Sequence, residues 1–146
     1  MNDVVRAVDM AELSKALNDI IRLYDHYYRQ LLNEYQINAS TINLINAIQG
    51  EVMTLTDITE ATGLDKSTVS RQMNILVKKE FAVKTNGEDK RYTLFRLTEK
   101  AEKAYWTINQ AMNDYFSESL DNWSEEEKQM LLVLLRRLNH SLSRTL

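Results

Sequence analysis

The stretch that decides the fold is residues 54–79, which read TLTDITEATGLDKSTVSRQMNILVKK. Thr54 and Asp57 stand in the Thr-x-x-Asp spacing of a capping box, in which each side chain bonds the other residue's backbone N–H group. This spacing predicts a short helix over 55–62. The helix must end at Gly63, because glycine adopts the left-handed conformation that closes a helix at low cost.

Asp65 is suited to cap a second helix, over 66–79. Two short helices joined by a glycine-containing turn are the sequence signal of a helix-turn-helix. We expect six apolar residues to hold the two helices together: Ile58, Ala61, Leu64, Val69, Met73 and Leu76.

After Glu80 the sequence pattern changes from one typical of helices to one typical of strands. Residues 81–85 and 92–97 are rich in aromatic and β-branched residues and lie on either side of Asn86-Gly87 and a charged run. This arrangement predicts a β-hairpin whose loop is longer than two residues. A hairpin directly after a recognition-type helix is a wing.

Long helices are predicted on both sides of this lobe. The first runs from about Ala7 to Glu34, and a second helix follows it with Asn38 or Ser40 as its N-cap. Beyond the wing, Thr98 and then Ser124 are expected to cap helices that reach about Leu120 and Ser143. The first helix carries a heptad-like apolar seam at Met10, Leu13, Leu17, Ile20, Tyr24, Tyr27 and Leu31, and the last has Leu131, Leu134, Leu135, Leu138 and Leu142 on one face.

The composition limits the class of protein. The chain has 146 residues, which suits one domain, and it has no cysteine, which excludes disulfides, thiolate zinc sites and cysteine-based redox sensing. The net charge is −3, yet residues 66–96 carry +5 and the remainder −8. Chance clustering is one explanation of the basic stretch, and a nucleic-acid footprint is the other. The sequence lacks a signal peptide and an apolar run of about 20 residues, so we expect a cytoplasmic protein with no membrane contact.

Three blocks of sequence are similar to one family. They are GLDKSTVSR at 63–71, DKR at 89–91 and FRLTEKA at 95–101. With these blocks the chain resembles the MarR (multiple antibiotic resistance regulator) family of winged-helix transcriptional regulators over nearly its whole length. Two departures concern the wing: Glu80-Phe81 stands where the family often has glycine, and Asn86-Gly87 replaces the usual proline-containing entry.

The resemblance implies the fold class: a mostly α protein with a small β-hairpin wing, a winged helix-turn-helix flanked by dimerisation helices. It implies a single MarR-type domain over 1–146, with the lobe at about 37–97 and dimerisation helices at about 7–34 and 98–144. Members of the family are homodimers whose first and last helices interdigitate. That assembly would bury the two apolar faces found here.

The helical period places five polar residues of 66–79 on one face: Ser67, Ser70, Arg71, Asn74 and Lys78. Arg71 can make two hydrogen bonds to guanine and Asn74 two to adenine, each pair discriminating by about 1–3 kcal/mol. Lys66, Ser67 and Thr68, at the helix N-terminus, are better placed for phosphate. The alternative is an ordinary solvated helix face.

The wing tip supplies the remaining predicted DNA contacts. Lys90 and Arg91 are its cations, and Arg91 is the predicted minor-groove reader, because a narrow A·T-rich groove attracts arginine. The family's Asp-x-Arg motif implies that Asp89 hydrogen-bonds that guanidinium and orients it rather than touching DNA.

These residues predict a sequence-specific regulator that binds double-stranded DNA, with repression as the default mode on a pseudo-palindromic operator. The family implies a small aromatic or anionic effector that releases DNA. Aromatic residues with nearby cations could form its pocket, but dimer core explains them as well, so no ligand residue is assigned: Tyr24, Tyr27, Tyr28, His26, Arg22, Tyr105 and Trp106.

Other functions are less well supported. His26 and His140 alone are a weak metal signal, so we expect no metal and no cofactor. An enzyme would need a nucleophile or phosphate loop, and the sequence offers no such motif. A winged-helix adaptor that binds protein is the better rival, although it would have no need to keep Arg71, Asn74 and Arg91.

Overall fold

A computed structural model of the protein describes residues 5–89 and 91–146. The elements are, in order, α1 (Met10–Glu34), α2 (Ala39–Ile48), β1 (Met53–Thr54), α3 (Leu55–Thr62), α4 (Lys66–Lys78), β2 (Ala82–Asn86), β3 (Thr93–Leu97), α5 (Glu99–Ser119) and α6 (Glu125–Ser143). The chain forms two compact units, one up to Asn109 and one over Gln110–Leu146, and α5 crosses the boundary. The predicted fold class, mostly helical with a small β wing, is confirmed.

The core of the first unit lies between α2, α3, α4 and the sheet. Nine of its side chains are less than 2% exposed, and most are β-branched or leucine residues from α2 and α4: Ile42, Leu44, Ile45, Ile48, Ile58, Val69, Met73, Leu76 and Ile108. Each large apolar side chain buried in this way stabilises the fold by about 1.5–3 kcal/mol. This core fixes how α4 is presented to the surface.

Side-chain caps begin the helices of the lobe at the predicted positions. The Thr54 hydroxyl accepts a hydrogen bond from the Asp57 backbone N–H, and the Asp57 carboxylate accepts one from the Thr54 N–H, at 3.1 and 2.9 Å. Asn38 caps α2, which settles the choice between Asn38 and Ser40. Gly63 ends α3 with φ +68°, the left-handed conformation expected there. The capping signals therefore located these helix ends accurately.

The sheet has a third strand that the sequence did not predict. Its order is β1-β3-β2, antiparallel throughout, with Met53 opposite Phe95 and Ala82 opposite Leu97. The strand β1 is only two residues long, too short for an alternating pattern to be visible. It ties the start of α3 to the base of the wing.

Two apolar residues predicted to lock the helix-turn-helix are exposed instead. Ala61 is on the solvent side of α3, and Leu64 is 41% exposed in the turn between α3 and α4. The remaining four, Ile58, Val69, Met73 and Leu76, are buried as predicted. The turn is too short to bring Leu64 inward while Gly63 adopts its left-handed conformation.

The helix α1 begins three residues later than predicted. Asp9 accepts a hydrogen bond from the Ala11 backbone N–H at 2.9 Å and so caps the helix at Met10 rather than at Ala7. Only Leu31 and Leu32 of this helix are buried. Six of its other apolar side chains lie on the surface, with about half or more of their area exposed: Met10, Leu13, Ile20, Ile21, Leu23 and Tyr24.

The second unit contains the end of α5 and all of α6. Ser124 and Glu127 form the predicted capping box at the start of α6. No residue of α6 is buried, although the helix carries a run of large apolar side chains, all 41% exposed or more: Met130, Leu132, Val133, Leu134, Leu135 and Leu142. An exposed apolar face of this kind marks a site of contact with another protein surface.

Candidate nucleic-acid interface

The helix α4 divides cleanly into a buried and an exposed face. Val69, Met73 and Leu76 are at most 1% exposed and anchor the helix to the core. The opposite face forms one continuous surface of polar residues with a single apolar member: Ser67, Ser70, Arg71, Asn74, Ile75 and Lys78. All five polar residues predicted for this face are therefore on one surface.

A second concave surface, of about 320 Å³, joins α4 to the wing and to the start of α3. Lys66, Ser70 and Asn74 line it from α4, and Arg91 lines it from the wing. Recognition helix and wing thus face the same space. The three cations that line it, Lys66, Lys84 and Arg91, are all exposed.

The N-terminus of α4 is organised by Asp65. Its carboxylate accepts hydrogen bonds from the hydroxyls of Ser67 and Thr68, at 2.6 and 2.7 Å, and from the Thr68 backbone N–H at 2.8 Å. The Ser67 hydroxyl, then the Thr68 hydroxyl and backbone, hold the pKa of Asp65 far below its ordinary value. The Ser67 and Thr68 hydroxyls, which were predicted to meet phosphate, donate to Asp65 here. Of this group, Lys66 carries a charge that forms no salt bridge within residues 5–89 and 91–146.

The wing tip carries the predicted ion pair. The Arg91 guanidinium donates from Nε to Asp89 Oδ1 at 3.0 Å and from Nη2 to Oδ2 at 2.8 Å. The pair lowers the pKa of Asp89 and raises that of Arg91, in each case through their shared side-chain hydrogen bonds. The Arg91 side chain remains 83% exposed. Lys90, the other cation predicted for the tip, lies outside the described residues.

Four surface residues near these groups were not predicted. Thr56, Lys84 and Tyr92 line the surface between α4 and the wing, and Ile75 lies among the polar residues of α4. Lys84 is the first exposed residue of β2, after Ala82 and Val83, and no alternation along this strand marks it in the sequence. Ile75 offers an apolar contact of the kind that recognises a thymine methyl group.

The aromatic residues considered for an effector lie on two helices. Tyr24 and Tyr28 stack along α1 with ring centroids 6.2 Å apart, and burial raises the pKa of Tyr28. Tyr105 and Trp106 meet edge to face on α5, and Trp106 is 64% exposed. Among residues 5–89 and 91–146, no group of three or more histidine, aspartate or glutamate side chains could hold a metal ion. Every helix in that part of the chain is too short or too polar to span a bilayer.

Comparison with known proteins agrees with this geometry. The model of the MarR family matches residues 35–91. The HTH-type transcriptional regulator TcaR of Staphylococcus aureus (strain Newman) is 25% identical over 131 residues, 88% of this chain and 87% of TcaR. The Bacillus subtilis (strain 168) HTH-type transcriptional regulator YwoH is 33% identical over 84 residues, 58% of this chain and 61% of YwoH.

Solved structures share the fold. A MarR family protein from Bacillus stearothermophilus superposes with a TM-score of 0.83 at 20% identity, over 94% of this chain and 99% of that one. A mutant of S. aureus MepR bound to an oligodeoxyribonucleotide gives a TM-score of 0.70 at 20% identity, over 89% and 97% of the two chains.

The fold and this surface define a winged helix-turn-helix protein. Its residues 35–91 match the MarR family, and the curated proteins it resembles are HTH-type transcriptional regulators.

Proposed function

We propose that the protein is a sequence-specific repressor that binds a pseudo-palindromic operator as a homodimer and is released by a small-molecule effector. The observation that carries this proposal is the shared surface of α4 and the wing, where Ser70, Asn74 and Arg91 face one space. A protein that acts on DNA in this way works in the cytoplasm.

The DNA contacts divide by groove. Arg71 and Asn74, on the exposed face of α4, read guanine and adenine in the major groove, and Lys78 extends that face. Arg91 reads the adjacent minor groove, and Lys90 adds charge at the tip. Lys66 meets the phosphate backbone, joined by Ser67 and Thr68 when their hydroxyls exchange Asp65 for phosphate oxygens. Ser70 lies between the two surfaces and completes the set.

Homodimerisation is supported by the apolar surface of each unit taken separately. In the first unit, α1 exposes residues such as Met10 (65%) and Ile20 (63%). In the second unit, α6 buries none of its residues and exposes Met130 (64%) and Leu134 (54%). Burying apolar surface is worth about 25 cal/mol per Å², so two such helices favour association with a second copy. On this basis 7–34 and 98–144 are dimerisation segments and 37–97 is the DNA-binding lobe of a single domain.

Two lobes related by a twofold axis require two related half-sites about one helical turn apart. An operator that overlaps a promoter excludes RNA polymerase, which makes repression the simplest outcome. An effector relieves repression only if it binds the free protein more tightly than the DNA-bound form.

The test is fluorescence anisotropy with the DNA upstream of the protein's own gene and an unrelated duplex of equal length, across a salt series. We expect saturable binding with clear preference for the upstream DNA and a steep fall in affinity as salt rises. Equal, weak binding to both duplexes would argue against sequence-specific regulation of that gene, and no binding at low salt would rule out a DNA-binding function.

A further inference from the structure

One apolar side chain lies within the DNA-facing surface of α4. Ile75 is 43% exposed and shares that surface with Arg71, Asn74 and Lys78. Isolated apolar residues are common on protein surfaces, so exposure alone indicates no function. What distinguishes Ile75 is its place, because every other described residue that lines this surface is polar or charged.

The packing of α4 does not account for an isoleucine at this position. The face that anchors the helix consists of Val69, Met73 and Leu76, all at most 1% exposed. Ile75 stands two positions after Met73, and the helical period turns its side chain about 200° away from that of Met73. The core of the lobe is therefore complete without Ile75, and its apolar surface is available for contact with a partner.

Cations flank Ile75 on the surface of the helix. Arg71 precedes it by four positions and Lys78 follows it by three, the spacings that bring side chains together on one face of a helix. Neither cation forms a salt bridge within residues 5–89 and 91–146. An apolar side chain between two unneutralised cations suits a polyanion such as DNA better than the apolar surface of another protein.

The major groove of DNA offers one apolar group to such a side chain. The edges of adenine, guanine and cytosine present hydrogen-bond donors and acceptors there, whereas thymine adds the methyl group on C5. A polar base edge placed against isoleucine would lose water without gaining a hydrogen bond. The branched side chain of isoleucine also has few rotamers in a helix, so it loses little entropy when it contacts the methyl group.

From this geometry we propose that Ile75 is a specificity-determining residue that selects thymine at one position of each half-site by contact with the 5-methyl group. The helical rise places Ile75 about 6 Å beyond Arg71 along α4, and base pairs are stacked about 3.4 Å apart. The thymine therefore lies about two base pairs from the guanine that Arg71 binds. This inference rests on the proposed function, because it requires α4 to enter the major groove.

The test removes the methyl group from the DNA and the isoleucine from the protein, separately and together. In the shortest upstream duplex that retains specific binding, each thymine is replaced in turn by uracil in both half-sites. This exchange keeps every hydrogen-bonding group of the base and deletes only the methyl group. Fluorescence anisotropy at fixed salt measures binding by the full-length wild type, Ile75→Ala and Val52→Ala. Val52 is an exposed apolar residue that lines neither DNA-facing surface, so it is the matched control.

We expect uracil at one position to weaken binding by the wild type about fourfold per half-site, the effect of one lost methyl contact. Ile75→Ala should bind the thymine duplex less tightly by a similar factor and should not distinguish thymine from uracil at that position. Val52→Ala should behave as the wild type does. The sensitive thymine should lie about two base pairs from the G·C pair whose replacement weakens binding by the wild type but not by Arg71→Ala.

Three results would overturn the inference. The first is specific binding in which no thymine is sensitive to uracil, and the second is a thymine–uracil difference that Ile75→Ala retains. The third is altered sedimentation of Ile75→Ala without DNA, which would assign the residue to a protein contact. A wild type that binds all duplexes equally would contradict the proposed function and this inference with it, whereas the first two results leave sequence-specific binding intact.

Discussion

Asp89 holds the Arg91 side chain by a two-point contact, with Nε–Oδ1 and Nη2–Oδ2 distances of 3.0 and 2.8 Å. The Arg91 backbone N–H also donates to Asp89 Oδ1 at 3.1 Å, so the carboxylate fixes both the loop and the guanidinium. An exposed ion pair of this kind adds little stability. The ion pair instead holds the Arg91 side chain in one orientation before the protein binds DNA.

Removing either member of this pair should weaken operator binding. Arg91→Ala should lower affinity several-fold while leaving the fold and the oligomeric state intact, because the side chain is 83% exposed. Asp89→Asn removes a negative charge near DNA, which by electrostatics alone would raise affinity, so a decrease would identify orientation as the role of Asp89. Anisotropy with the operator measures both, and unchanged affinity in Arg91→Ala would eliminate the minor-groove contact.

Asn74→Ala should lose discrimination at a single operator position. A good bidentate amide–adenine pair discriminates between bases by about 1–3 kcal/mol. One A·T to G·C exchange in the operator should therefore weaken binding by the wild type and leave binding by the variant almost unchanged. Binding to a set of single-base operator variants measures this. Asn113→Ala, on the exposed surface of α5, is the matched control. Loss of affinity spread evenly over all positions would speak for a backbone contact instead.

The Asp65 cap should make stability depend on pH. Its pKa is depressed in the folded state by the Ser67 and Thr68 hydroxyls, so the unfolded chain takes up the proton more readily. The stability it contributes is present above the ordinary pKa of 3.8 and is lost as the pH falls below that value toward the folded pKa. Asp65→Asn keeps a capping oxygen but loses the charge.

We therefore expect Asp65→Asn to melt at a lower temperature than the wild type at pH 7, with the difference shrinking below about pH 3.8. Thermal melts by circular dichroism from pH 7 to pH 2.5 measure the effect. A difference that stayed constant with pH would assign it to hydrogen-bond geometry rather than to charge.

Two residues with nearly the same positive φ should change the stability of the protein in opposite directions when they are substituted. Gly63 has φ +68° with no atom within 4 Å of an added Cβ, so Gly63→Ala strains the backbone without a clash and should destabilise by about 1 kcal/mol. Glu80 has φ +64° and already bears that strain, so Glu80→Gly should stabilise by about 0.5–1 kcal/mol. Urea denaturation measures both, and two changes of the same sign would contradict this explanation.

Leu134→Glu should disrupt the proposed dimer. Leu134 is 54% exposed on α6, so a charge there costs the isolated chain little but would be buried in an interface. Sedimentation velocity should show a shift from dimer to monomer. Gln129→Glu places the same charge on the opposite side of the same helix and should remain dimeric. A monomeric wild type would contradict the proposed dimer.

Local signals in the sequence located the helices of the lobe because their ends are determined by a few neighbouring residues. The Thr54–Asp57 box and the Asp65 cap begin α3 and α4 where predicted. The aromatic and β-branched residues on either side of Asn86-Gly87 identified the wing. Glu80 stands where the family often has glycine, which is visible in the sequence. The structure explains that preference, since Glu80 adopts a left-handed conformation.

Features made by distant parts of the chain were not visible in the same way. The two residues of β1 pair with β3 some forty positions later, and no local pattern encodes that register. Residues of the α1–α2 turn, the end of α4 and the start of α5 line one concave surface only because their helices pack together. Leu64 was expected in the core because it is apolar, but a short turn cannot direct its side chain inward.

The small strand β1 has a mechanical consequence. Thr54 both caps α3 and pairs with Leu94 of the wing, so the helix-turn-helix and the hairpin share a rigid joint. A lobe built in this way should leave both grooves in one event instead of peeling from one and then the other. Fluorophores placed on the wing and on the recognition helix should therefore report the same dissociation rate from a duplex, because each lobe releases DNA as one unit.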